Sequence, residues 1–353
     1  MNQPSGRLCA RPMPTMRCTV PGHFSRWAVV ATTQLLLLAT SQARVHPSQR
    51  LGREDCSGWI ERMKATDASM RNFSQKTQDG ILRTIFERIG VANRHCVEFG
   101  FGYVGRGAQG EALFEHAHGA HGHVLLNTLL LRKQGWNATY FDALVDDPVA
   151  NVRRVVLTES NIAAAFASAA VPVDVDYVSI DVDSIDVWLL RGLLQGGYRP
   201  RVISAEFNAN FGVDQYLALP RKWHAWSGSS AIGSGAAALN LVAEAHGYRV
   251  VHLMPVLLDM FFVRGDLLRR CDNSTLPAFE DAARGVIPRR IHHTCTPAEA
   301  RRFVDVRLMM RGFESEARAK ALEELARANA FFAAHSEARK RGRLQHSANV
   351  CNL

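Results

Sequence analysis

Residues 177–186, Tyr-Val-Ser-Ile-Asp-Val-Asp-Ser-Ile-Asp, run from an apolar, β-branched stretch straight into three carboxylates. A buried strand that ends in acids needs a reason, because desolvating a charge without a partner is expensive. Open α/β sheets bind ligands outside the carboxyl ends of their strands, which is where these acids fall. Asp181 lies too early to cap a following helix and is the candidate catalytic residue. Asp183 either caps that helix or binds a metal, and Asp186 fits the first helical turn, where the helix dipole favours an acid. Glu206 and Asn208 end the next apolar run. With Asp181 and Asp183 they would offer four hard oxygen ligands, suited to Mg²⁺ or Ca²⁺. Such a cation lowers a hydroxyl's pKa and holds it in line for attack.

Other residues have types and spacing that fit the same edge. Val97-Glu98-Phe99-Gly100-Phe101-Gly102 reads as a strand followed at once by alternating glycines, a turn that lets a ligand approach the backbone closely. Asp142 closes the next strand, Ala138–Phe141, where an acid can grip two ribose hydroxyls. Lys222, Trp223 and His224 stand in a loop beyond Glu206, and His224 could serve as a general base or be a plain surface histidine. His116, His118, His121 and His123 could bind zinc or copper, or form a solvent loop beside the site.

The elements that must position these residues alternate along the chain. Helical periodicity covers 81–89, 125–134, 162–169, 187–194 and 236–245. Strands are expected at 96–99, 138–141, 155–158, 177–181 and 201–206, then at 248–253 and 259–263. Strands separated by helices imply a doubly wound, mostly parallel α/β sheet. The last two, with no helix between them, suggest an antiparallel edge strand. Residues 44–77 read as a linker, and 271–353 as a C-terminal helical extension with helices at 297–310 and 314–343.

Taken in order, several segments resemble class I, Rossmann-like methyltransferases, in a branch related to the FkbM type. They are Asp79–Leu82, Val97–Gly100, Asn127-Thr128, Leu157–Ile162, Tyr177–Asp186, Pro200–Ile203 with Glu206–Asn208, and Phe261–Leu267. The likeness covers residues 78–270. It implies a seven-stranded sheet binding S-adenosyl-L-methionine, with Glu98, Gly100 and Gly102 near the methionine end and Asp142 on the ribose. Glu159 and Asn161 would fall near the adenine. The implied reaction is methyl transfer to an oxygen of a small-molecule or glycan-like acceptor. A second reading takes Asp181-Val182-Asp183 as the D-x-D motif of a manganese-dependent glycosyltransferase. A third is a degenerate domain that only binds.

The chain has 353 residues and a net charge of +9, but its first 53 residues carry seven arginines and no acid. Without that segment the net charge is +2, so no nucleic-acid partner follows. Residues 1–43, with an apolar run at 27–40, read as a signal peptide or signal anchor into the secretory pathway. An organelle transit peptide is the alternative, and any membrane contact is expected only through this segment. Three sequons, at Asn72, Asn137 and Asn273, are compatible with a lumenal setting. Of the later cysteines, Cys271 and Cys295 are the expected bridge, and Cys96 the expected buried hydrophobe.

Overall fold

The computed structural model describes residues 53–66, 73–74, 77–106, 112–115, 126–255, 259–291, 293–339, 350–351 and 353. The leader, Asn72 and the histidines of 116–123 lie outside the described residues. The described part belongs to one compact unit, Leu51–Leu353. Seven strands form the main sheet: β1 (His95–Phe99), β2 (Asn137–Asp142), β3 (Val152–Arg154), β4 (Tyr177–Ile180), β5 (Val202–Glu206), β6 (Tyr248–Leu253) and β7 (Asp259–Arg264). Their order is β3-β2-β1-β4-β5-β7-β6. β7 runs antiparallel to both of its neighbours, and the pairings among β1–β5 are parallel. The molecule is thus α/β with a mostly parallel sheet, compatible with a Rossmann-like fold.

The antiparallel strand is not the edge. Met260, Phe261, Phe262 and Val263 are buried, and β7 pairs with β5 on one side and with β6 on the other. β6 takes the edge and carries the half-exposed Arg249, as edge strands commonly do.

Alternation along the strands gives the sheet two cores. Val97, Phe99, Val178, Ile180, Ile203 and Phe262 face α3 (Ile162–Ser168), α4 (Asp186–Gln195) and α5 (Ala236–Ala245), burying Phe166, Trp188 and Leu239. Cys96, Tyr140, Tyr177, Val202 and Phe261 face α1 (Ser57–Thr66) and α2 (Gln78–Ile89) through Trp59, Met63, Ile81 and Ile85. The expected linker therefore contains a helix. Polar residues outnumber apolar ones in α1, but Trp59, Ile60 and Met63 share one face and that face is buried.

Other expectations also shift. The strand placed at 155–158 lies at Val152–Arg154, because Val152 pairs with Tyr140 and Val155 follows the last pair. The helix placed at 297–310 is broken into Pro297–Ala300 and Val306–Met310 by a short strand, Val304–Asp305. Asp305 ends the run by capping the second piece through the N–H groups of Arg307 and Leu308. The long helix α6 (Glu314–Arg339) buries Ala321, Leu325 and Ala328 at helical spacing against Phe211 and Phe303. The disulfides are Cys56–Cys271 and Cys295–Cys351, not Cys271–Cys295. Spacing does not determine connectivity; tertiary proximity of Glu54 to Cys271 and of Cys295 to Cys351 does. Cys96 is free and buried, as expected.

Candidate functional site

Strand register brings the acids together. Phe99 pairs with Phe141 and with Ile180, and Ile180 pairs with Ala205. One residue further, Asp142, Gly100, Asp181 and Glu206 stand in a row across four strand tips, and Glu206 pairs with Asp259 of β7. The strand order reverses direction between β1 and β4, so Gly100 and Asp181 occupy the switch point of the sheet.

Gly100 is required by this juxtaposition. Its φ is +95°, and a Cβ there would lie 1.2 Å from the carbonyl oxygen of Asp181. Its bareness therefore serves the contact between two tips. Gly102 opens a two-stranded hairpin, Gly102–Arg106 with Ala112–Glu115.

Asp181, Asp183 and Glu206 are half-buried, and each offers an oxygen within 4.8 Å of the others. Burial pushes the Asp181 and Glu206 carboxyls well up, and the charges of their acidic neighbours push them further. Two carboxylates that crowd in this way tend to retain a proton between them. These three residues could hold a hard cation, whose charge would offset the repulsion. Asp183 does not cap the next helix: Ile185 stands at the cap position, and Asp183 adopts φ 54°, a conformation aspartate tolerates better than most. Asp186 is structural. Its carboxylate turns back to accept the N–H of Val182 at 2.8 Å and of Ser184 at 3.0 Å. Burial still lifts it to about 6.

Asn208 does not join the cluster. Its Nδ2 donates to the carbonyls of Ser230 and Ile232, and its Oδ1 accepts both the backbone N–H and the amide of Asn210. All its hydrogen-bonding capacity goes into shaping the 208–232 loop.

Glu98 is likewise spent inside the protein. Its carboxylate accepts the N–H groups of Asn127 and Thr128, each at 2.9 Å, and the Thr128 hydroxyl at 2.6 Å. It thereby anchors the start of the helix Leu129–Lys133, while burial raises it to about 7. Glu159 gives one oxygen to Arg191 and the other to Arg221. Asn161 holds the 156–161 loop closed through Thr158 N and Val156 O. Asp142 differs: Oδ1 accepts from Leu144 and Val145, and among the described residues Oδ2 has no hydrogen bond. Among Glu98, Glu159 and Asp142 it is the one with a carboxylate oxygen that takes no hydrogen bond from the described residues.

His224 sits beside the acidic turn, its N–H donating to Ser184 Oγ at 2.9 Å. Burial lowers the imidazole, helped by Arg302 and Lys222, which favours the neutral ring. Sequence reasoning missed Asp259 as part of the site. It is buried, accepts from Gln78 Nε2 at 2.9 Å and Asn127 Nδ2 at 3.4 Å, and is lifted by desolvation to about 6. Asn127 also reaches Ser179 Oγ at 3.1 Å, and its own Oδ1 is buried with no hydrogen-bond partner among the described residues. An acid opening the apolar run Met260–Val263 was the available signal.

No protein-family model matches the chain, and no curated protein matches it.

Proposed function

We propose that this chain is an S-adenosylmethionine-dependent methyltransferase acting on an oxygen of a small-molecule or glycan-like acceptor, on a Rossmann-like sheet. The observation that carries the reading is the row Asp142, Gly100, Asp181 and Glu206 at the switch point of the sheet. Such a crevice is where open α/β sheets take nucleotide-like ligands. The cofactor, when bound, supplies an electrophilic methyl group.

Asp142 Oδ2 would hold a ribose hydroxyl, and the Gly100 tip leaves the crevice floor free of a side chain. Glu98 acts indirectly, by fixing the 127–128 backbone. Glu159 and Asn161 already bond within the protein, to Arg191 and Arg221 and to Thr158 and Val156. Asp181, in its ionised form, accepts the proton that leaves the acceptor hydroxyl as the new bond forms, and Glu206 shares it. A divalent cation, if bound, would lie on Asp181, Asp183 and Glu206. The two disulfides support an oxidising compartment, consistent with delivery through the secretory pathway.

Calorimetry with S-adenosylhomocysteine tests the reading. Binding that weakens by at least about tenfold in Asp142→Ala, the worth of a charge-assisted hydrogen bond, supports it. Binding of a nucleoside-diphosphate sugar with Mn²⁺ in its place would reassign the site to glycosyl transfer. If neither ligand binds, the reading as a domain that only binds gains. Methyl transfer that survives EDTA and Asp183→Ala unchanged removes the cation.

A further inference from the structure

The segment after β5 is held in place at several points. Trp188 Nε1 donates to Leu219 O at 2.8 Å, His224 N to Ser184 Oγ at 2.9 Å, and Ser230 N to His293 O at 2.7 Å. Ser227 Oγ adds a 2.6 Å bond to Glu299. Lys222-Trp223-His224 is therefore fixed against the acidic turn 181–186 and is no wandering loop. Glu299 meets this segment through Ser227 and Ser229, and Arg302 follows it by three residues, its backbone N–H donating to the Glu299 carbonyl at 3.0 Å.

The cations of this rim divide into two kinds. Arg221 is fully engaged: it pairs with Glu159 at 2.7 Å and lies over the Trp188 ring at 4.6 Å. Lys222 and Arg302 have neither an ion-pair partner nor a side-chain hydrogen bond among the described residues. Arg302 is half-buried. A guanidinium whose N–H groups meet no protein acceptor is poised for an external one. Beside these cations Trp223 is 54% exposed, a large aromatic surface left uncovered.

We infer that Lys222, Trp223, His224 and Arg302 form a subsite for a saccharide carrying a carboxylate. An indole face suits the apolar C–H face of a sugar ring, and a guanidinium suits a carboxylate in bidentate geometry. The charge count selects a monoanion. The two unpaired cations attract it, while the nearby Asp181, Asp183 and Glu206 repel a more highly charged group. That this saccharide is the methyl acceptor rests on the proposed methyl transfer; that the rim binds it does not.

Saturation-transfer NMR on the full chain, with methyl β-D-glucuronide and methyl β-D-glucoside as probes, decides the matter. The glucuronide is expected to bind about tenfold more tightly, the increment of one charge-assisted contact. Arg302→Ala should erase that preference, Arg302→Lys should restore part of it, and Trp223→Ala should weaken both sugars. All four side chains are exposed or half-exposed, so folding is expected to survive and far-UV circular dichroism confirms it. Equal binding of the two sugars overturns the inference. So does full displacement of the glucuronide by inorganic sulfate with no effect of Trp223→Ala, which would leave only an anion site. A parallel titration with S-adenosylhomocysteine separates the two claims. Glucuronide binding without it keeps the subsite and removes methyl transfer; the reverse pattern keeps methyl transfer and removes the subsite.

Discussion

Asp176 and Asp181 flank the same strand, β4, and are treated oppositely. Asp176, just before the strand, is fully buried and surrounded by donors. It accepts the N–H groups of Ala92, Asn93 and Arg94 at 2.7–2.9 Å and pairs with Arg201 at 2.9 Å. Arg201 in turn donates to the carbonyls of Ile89 and Gly90. Asp181, at the other end, is half-buried and crowded by Asp183, Glu206, Asp259 and Asp186. One acid has its charge matched inside the protein, and the other is left with an excess of like charge. The first ties the amino ends of the strands together. The second is an arrangement that costs stability and that a ligand, a proton or a cation would relieve.

The contrast can be broken by substitution. The largest effect is expected at the satisfied end. Asp176→Ala strands Arg201 and three backbone N–H groups, and should cost about 3–5 kcal/mol in urea unfolding. A loss below about 1 kcal/mol would mean the amino end is not held by this acid.

Asp259→Asn comes next and has the opposite sign. Both donors to Asp259 reach the same oxygen, so the amide of Asn can accept them equally. The folded carboxyl lies at about 6, above its ordinary value of 3.8, so the native state binds the extra proton between those values. Native stability from this group is complete below pH 4 and falls as pH rises through 6. The variant should therefore match the parent near pH 4 and exceed it by on the order of 2–3 kcal/mol at pH 8. An equal difference at both pH values would show that ionisation is not the cause.

Asp181→Asn should have the smallest effect on folding and a clear effect on chemistry. Relief of like charge predicts stability at pH 8 that is unchanged or higher. Transfer of a labelled methyl group into an extract of the native cell should fall about a hundredfold or more. A variant that is strongly destabilised would place Asp181 with Asp176, among the structural acids.

Much of the scaffold was legible because periodicity is local. The expected runs at 96–99, 177–181, 236–245 and 248–253 agree with the observed elements to within a residue. Asp181 and Glu206 were legible as acids ending apolar strands, and Asp186 as a first-turn acid. Less legible was what each polar group spends its bonds on. Glu98, Glu159, Asn161 and Asn208 are the right residue types at plausible positions, yet each bonds within the protein, Asn161 inside its own loop and the others to residues further along the chain, as Glu98 does to residues 127–128. Asp259 escaped notice because its meaning depends on pairing with Glu206, 53 positions earlier in the chain.

By itself the sequence determined which segments become strands and helices, because burial on one or both faces is written in the spacing of apolar residues. It also determined that β4 must end in acids. Tertiary structure decided that β7 lies inside the sheet and that Cys56 meets Cys271. It also decided that Gly100 has to be bare, because the Asp181 carbonyl fills the space where its Cβ would be. Those are facts of contact between segments far apart in the chain. Local propensity carries no term for them; only the packed sheet sets which acid meets a donor and which meets another acid.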